Sequence, residues 1–158
     1  MKTVAVIGGG PAGLAAAEVM AEAGLSVTVY EAKPSLGRKF LMAGKSGLNL
    51  TNAAPMDHLI AQYQEAAPWL RPALDAFDNA AIAAWADGLG QEMFVGTTNR
   101  VFPRAMKASP LLREWLARLD GLGVARRTRW RWTGWEGDAL SFETPDRPMT
   151  IPCDAAVL

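Results

Sequence analysis

The chain has 158 residues, long enough for one domain with a real core, since a chain this size buries roughly two-thirds of its extended surface. Sixteen Lys and Arg balance sixteen Asp and Glu, so no bulk charge draws it to nucleic acid or an anionic membrane, and 50% hydrophobic with 20% charged residues excludes a disordered or collagen-like chain. One cysteine, Cys153, and one histidine, His58, exclude an internal disulfide framework and a Cys-based zinc site and leave little for a His-ligated metal; a reducing cytoplasm is the expected setting.

Thr3-Val4-Ala5-Val6-Ile7 is a short β-branched run bounded by glycine, which predicts a strand buried on both faces of a parallel sheet. Gly8 to Gly13 is a turn, Leu14 to Ala23 a run of good helix formers, and Gly24 the C-cap. Ser26 to Tyr30, closed by Glu31, is a second strand, so the first thirty or so residues make a βαβ unit. This is not a signal peptide: Gly8 to Pro11 break the apolar run, Glu18 and Glu22 interrupt it, and another apolar stretch follows. No window reaches 18 uncharged apolar residues, so no membrane-spanning helix is predicted.

Ala32 to Asn52 is rich in Gly, Lys, Ser and Asn without a sustained period, which predicts a long functional loop with one helical turn near Arg38 to Met42. Met56 to Ala67, Trp69 to Phe77 and Asn79 to Leu89 read as helices, separated by Pro68 and by Asp78, an expected N-cap. Ser109-Pro110 opens a further helix, with an apolar stripe through Leu111, Leu112, Trp115, Leu116, Leu119 and Leu122 and an end at Gly121 and Gly123. Thr128 to Trp135, Ala139 to Thr144 and Met149 to Cys153 form an expected antiparallel meander, parted by the turn sequences Glu136-Gly137-Asp138 and Pro145-Asp146-Arg147-Pro148. Asp154 to Leu158 then begins a strand returning to the main sheet; with no turn or polar tail after it, the chain is expected to be the amino-terminal part of a longer protein. The expected architecture is an α/β, Rossmann-like domain over 1–158, with a parallel sheet, a helical segment at 56–89 and a β-meander at 128–153.

Gly8-Gly9-Gly10-Pro11-Ala12-Gly13 matches G-x-G-x-x-G between a predicted strand and a predicted helix, the context that gives this motif its force. Gly8 permits the tight turn, Gly10 lets the backbone approach a pyrophosphate, and Gly13 lets helix pack on strand, while the helix start offers unpaired N–H groups to phosphate. Glu31 stands 21 residues after Gly10, where a carboxylate accepts bonds from ribose hydroxyls and disfavours a ribose 2′-phosphate. The fingerprint by itself leaves FAD and NAD both open.

Val6 to Ala17 followed by Val27-Thr28-Val29-Tyr30-Glu31 resembles the opening of two-dinucleotide-domain flavoproteins. Gly37-Arg38-Lys39-Phe40 through Asn49-Leu50-Thr51-Asn52 resembles the signature of the BaiN/YhiN-like flavoproteins, which include bile-acid reductase and aminoacetone oxidase homologues. Val101-Phe102-Pro103 with Lys107-Ala108-Ser109, and Trp132-Thr133-Gly134-Trp135, fit the same family, so the resemblance runs over nearly the whole chain. Lys45-Ser46-Gly47-Leu48-Asn49 replaces the commoner G-G-G-R-C-N, which marks a distinct branch to which no known substrate carries over.

The resemblance implies bound FAD, NAD(P)H as a possible electron donor, hydride transfer through the flavin, and a longer protein with a substrate domain beyond Leu158. Gly8 to Gly13, Glu31 and Ala32 would hold the dinucleotide, and the backbone near Trp132 would lie against the adenine. Arg38 and Lys39 are cationic donors suited to ribose or pyrophosphate oxygens. Gly44 and Gly47 allow close approach to a flat ring, and Ser46, Asn49, Thr51 and Asn52 offer neutral partners for a ribityl chain or ring edge. Without the resemblance, that loop reads equally well as polar surface.

Arg126, Arg127, Arg129 and Arg131 interleaved with Trp130 and Trp132 could form a nucleic-acid platform, but with no net charge they read as two faces of one strand, Arg outward and Trp inward. His58 has no partner pattern, and Cys153 reads as inert core. No residue is named as catalytic and no metal site is expected. The expectation is an FAD-dependent oxidoreductase acting on a small molecule, with an NAD-binding dehydrogenase domain or a non-catalytic dinucleotide-binding module as the alternatives.

Overall fold

The computed structural model describes residues 1–43 and 45–158; Gly44, one of the two glycines expected to approach a flat ring, lies outside them. In chain order the elements are β1 (Thr3–Ile7), α1 (Pro11–Glu22), β2 (Ser26–Glu31), α2 (Arg38–Ala43), β3 (Thr51–Asn52), α3 (Met56–Ala61), a 3-10 turn (Gln64–Ala66), α4 (Ala67–Ala76) and α5 (Asn79–Asp87). There follow β4 (Met93–Val95), β5 (Arg100–Pro103), α6 (Ala108–Gly121), β6 (Ala125–Thr128), β7 (Arg131–Glu136), β8 (Ala139–Glu143), β9 (Met149–Ile151) and β10 (Ala155–Val157). Two compact units result, Met1–Phe40 with Trp115–Leu158, and Leu41–Glu114. Among the described residues no helix is long and apolar enough to cross a membrane.

The first unit is Rossmann-like. Its sheet runs β10-β1-β2-β6 with every pairing parallel, Val4 standing opposite both Ala155 and Val27, and Thr28 opposite Ala125. Val4, Ala5, Val6, Val27 and Val29 are all buried, the continuous run that a parallel sheet covered on both faces requires. The chain steps outward from β1 to β2 to β6 and then returns to the other side of β1 as β10. The strand order therefore reverses between β1 and β10, and the carboxyl end of β1 is where a ligand is expected in such sheets. The crossover from β2 to β6 carries the second unit, and that from β6 to β10 is the antiparallel meander β7-β8-β9. Ala5, Tyr30, Leu140 and Phe142 form a buried cluster there, with the Tyr30 and Phe142 rings stacked at 4.5 Å.

One predicted strand is two. Thr128 to Trp135 reads as a single strand from its alternation, yet β6 ends at Thr128 in the parallel sheet and β7 begins at Arg131 in the meander. Arg129 between them has φ +62, a left-handed corner that side-chain alternation cannot reveal. The arginines therefore do not share one strand, although Arg127, Arg129 and Arg131 are exposed while Trp130 and Trp132 are half-buried, as the two-faced reading anticipates. The corner is tied to the end of β2, since Arg129 N–H donates to the Lys33 carbonyl (3.1 Å) and Trp130 N–H to that of Glu31 (3.0 Å).

Helix boundaries also move. α1 begins at Pro11, in the first turn where proline's missing N–H costs nothing, three residues before the apolar pattern starts. Pro68 is taken into the first turn of α4 for the same reason, and the break falls instead near Gln64, whose φ is +50. α6 starts at Ala108, which places Ser109 inside the helix instead of at its cap. Asp78 does cap α5, its Oδ1 accepting from Ala81 N–H at 2.7 Å.

The second unit carries a sheet that the sequence pattern misses, β3-β5-β4, all antiparallel, with Met93 opposite Pro103 and Thr51 opposite Val101. Its strands have two to four residues, too short for a period, and Asn99 at φ +58 forms their tight turn. Among this unit's residues, Leu48, Ile60, Leu89, Val101, Leu111 and Leu112 are buried.

Asp154 staples β10 to β1: its Oδ2 accepts from Thr3 N–H (2.6 Å) and Thr3 Oγ1 (2.8 Å), and its own N–H donates to the Thr3 carbonyl (3.0 Å). The backbone and hydroxyl bonds from Thr3 hold this carboxyl below the usual range. A depressed folded-state value means that the staple contributes fully above the unfolded value of about 3.9 and is lost as pH falls through the lower folded one. Hydrogen exchange should show β10 amides losing protection in that acid window, and Asp154→Asn should remove the pH dependence; equal protection of β10 at pH about 2.5 and 6 would deny the staple its role.

Candidate cofactor site

β1 delivers the chain to a turn built from its glycines. Gly8 has φ +108, a backbone region that side chains resist, and its N–H closes the turn on the Tyr30 carbonyl at 2.8 Å. At Gly13 a Cβ would drive into the Gly8 carbonyl oxygen, so that glycine is required by packing within the chain. Gly10 is different. Its φ −81 and ψ 178 suit any residue, and a Cβ there would meet nothing within 4 Å. The chain's own fold does not demand glycine at this position; close approach by something outside the chain would.

Gly10 is the N-cap of α1, and the leading amides of the helix have no intrahelical acceptor. No acidic side chain occupies the first turn to offset the positive end of the helix dipole. Glu31, half-buried at the end of β2, stands beside this turn: its Oε2 accepts from Gly9 N–H (2.8 Å) and its Oε1 from Lys33 N–H (2.7 Å). Those bonds fix the carboxylate while leaving each oxygen a further lone pair. The Gly9 carbonyl accepts from Gly37 N–H at 2.7 Å, and buried Leu36 packs where a Gly9 Cβ would come to 2.8 Å from its Cγ. Burial raises the pKa of the Tyr30 phenol, with nearby Arg127 drawing it partly back, and its ring packs with Trp130 and Phe142.

A cavity of about 290 Å³ opens here, lined by Gly9, Gly10, Pro11, Glu31, Lys33, Arg38 and Lys39. Among the described residues none of its three cations forms an ion pair, and Arg38 donates only to Ser35 Oγ at 3.2 Å. Its inventory is a positive helix end, three cations and one fixed carboxylate, which suits a bridging anion flanked by hydroxyls.

Of the residues singled out from sequence, Gly9, Gly10, Pro11, Glu31, Arg38 and Lys39 meet around this cavity. Gly8 and Gly13 shape the turn behind it, and Ala12 and Ala32 are exposed next to their lining neighbours. Ser46, Asn49 and Thr51 belong to the second unit: the first two are exposed, Thr51 is half-buried on β3, and none of the three side chains has a hydrogen-bond partner among the described residues. Asn52 is committed locally, its Oδ1 accepting from Ala54 N–H at 2.8 Å. Trp132 packs against the Tyr30 and Phe142 cluster, and its buried Nε1 has no partner among the described residues. Lys33, Leu36 and Gly37 were not named as site residues, although Gly37 opens the Gly37-Arg38-Lys39 signature; that glycine and the apolar Leu36 beside it were the available signals.

A Gly-rich turn closing the first strand of a parallel sheet where the strand order reverses, with an acid fixed at the next strand's end, is the Rossmann arrangement. The model of the HI0933-like protein Rossmann domain matches residues 2–158. The chain belongs to the HI0933-like family. This is the BaiN/YhiN-like flavoprotein group that the sequence motifs resemble. Solved structures that share this fold include THI4 and a 3-ketosteroid dehydrogenase. THI4 of Thermovibrio ammonificans is 17% identical at a TM-score of 0.59, covering 98% of this chain and 55% of that one. The 3-ketosteroid-Δ4-(5α)-dehydrogenase of Rhodococcus jostii RHA1 is 12% identical at a TM-score of 0.64, covering 96% of this chain and 44% of that one. A carotenoid phi-ring synthase of Streptomyces griseus is 62% identical over 34 residues, 22% of this chain and 7% of that protein. The HI0933-like chain thus spans about half or less of the length of these relatives.

Proposed function

We propose that the chain is the FAD-binding part of a flavin-dependent oxidoreductase, with the cavity at the start of α1 taking the adenosine diphosphate half of the cofactor. The single observation that carries this is Gly10: a position free of intramolecular crowding, at a helix start, beside a carboxylate already held in place. The group fits the residues. The α1 amides, Arg38 and Lys39 would hold the pyrophosphate, and Glu31 would accept from the ribose hydroxyls and repel a 2′-phosphate. Ser46, Asn49 and Thr51 would address the ribityl chain, and the backbone near Trp132 the adenine, as the family resemblance implies.

Bound flavin supplies the hydride and electron chemistry, and the protein binds, orients and tunes it. A small-molecule substrate, NAD(P)H as the electron donor and a cytoplasmic setting complete the proposal; nucleic acid and membrane are not among the partners. The test is the visible spectrum of the purified protein, together with that of a form extended beyond Leu158. Flavin absorption near ~450 nm in either is the expected result. A colourless protein that instead retains NADH one-to-one would overturn it in favour of a nicotinamide-dependent dehydrogenase.

A further inference from the structure

The second unit contains a hollow that the dinucleotide site does not use. Its volume is about 330 Å³, in the range of small-molecule sites. Its lining includes Asn79, Ala80 and Ala83 of α5, Phe94 of β4 and Val101 of β5. The hollow exists because α5 presents alanines where larger side chains would fill the space over the sheet.

Among the described residues no charged side chain lines it, so a charged ligand would surrender hydration without a partner, whereas a neutral apolar one does not. Asn79 supplies the lining's one polar side chain, and its amide is oriented. Nδ2 donates to the carbonyls of Asn52 (2.7 Å) and Ala54 (3.0 Å), so the acceptor end is defined, and Oδ1 accepts no hydrogen bond among the described residues. The polar complement of such a wall is one donor on an otherwise apolar body.

We propose that this hollow binds a compact neutral organic molecule, aromatic or branched aliphatic, that rests on Phe94 and Val101 and donates one N–H or O–H to Asn79 Oδ1. The site does not depend on the flavin reading, since none of its residues belongs to the cavity at α1.

Indole is a suitable probe and indene its near-isostere without the donor. Amide chemical shifts of the full chain titrated with each are expected to move saturably at Ala80, Ala83, Phe94 and Val101, with indole half-saturating below about 1 mM and indene binding about fivefold more weakly. Ala83→Leu, or Ala80→Leu at the exposed rim should the first variant fail to fold, is expected to weaken indole by about tenfold or more while the cavity at α1 is untouched. Shifts that never saturate, indene binding as tightly as indole, or full indole affinity in a folded filling variant would each overturn the proposal.

Discussion

In Gly10→Val, affinity for the dinucleotide is expected to fall about 100-fold or more, roughly 2.8 kcal/mol, while the protein keeps its fold. The backbone at Gly10 is extended, a conformation that a β-branched residue adopts readily, and its Cβ would face open space. Valine is a poorer N-cap than glycine, so a stability loss of about 1 kcal/mol or less is expected. The larger effect comes from the isopropyl group, which occupies the volume that a pyrophosphate would need to reach the α1 amides. Gly13→Val is the contrast. There the added carbon meets the Gly8 carbonyl, a backbone atom that cannot rotate away, and both the fold and the cofactor should be lost. Flavin per protein after desalting, read beside a thermal melt, separates the two variants. Full flavin retention in folded Gly10→Val would remove the pyrophosphate from this position.

The second large effect is expected at Glu18, which is 5% exposed on α1. Its Oε2 accepts from Trp115 Nε1 at 2.6 Å and its Oε1 from Arg118 Nη1 at 2.9 Å, so one carboxylate ties α1 to the carboxyl half of α6. Glu18→Ala removes the acceptor that Trp115 Nε1 and the largely covered Arg118 guanidinium share, and leaves a void besides. A loss of about 3 kcal/mol follows from breaking such a pair on one side only, and for a chain of this size that lowers the melting temperature by about 6 to 12 °C. Glu18→Gln keeps an acceptor for Trp115 and should lose about half as much. Denaturant titrations of the two variants provide the comparison, and a Glu18→Ala loss under about 0.5 kcal/mol would mean that water already serves these groups.

The parts of the fold that were legible are those in which side-chain period and backbone punctuation coincide. Val4 to Ile7, the glycines after it and Val27 to Tyr30 each carry both signals, and the βαβ unit forms as read. Asp78 was legible as a cap because its short carboxylate competes for the backbone wherever it stands. The corner at Arg129 was not, because the alternation of Arg and Trp continues unbroken through a change of sheet that only a positive φ announces. The hairpin around Asn99 was hidden by strands too short to show a period.

The candidate site divides the same way. Gly9, Gly10 and Glu31 come together because motif spacing encodes their contact through β1 and β2. Lys33, Leu36 and Gly37 brace the same turn from a loop whose shape depends on Gly37 at φ +66, and no periodicity describes such a loop.

The strand order has a consequence for how the chain is made. β1 lies between β2, its immediate successor, and β10, whose first residue Ala155 is separated from Glu31 by 123 residues. At ribosomal rates of about 5 to 20 residues per second, one edge of β1 waits roughly 6 to 25 s for its partner. During that interval the glycine turn and α1 are already outside the ribosome, next to a bare parallel edge that could pair with other nascent chains. Biosynthesis of this protein is therefore a race between the pairing of this edge and association with its neighbours, and the arrival of β10 beside β1 ends it.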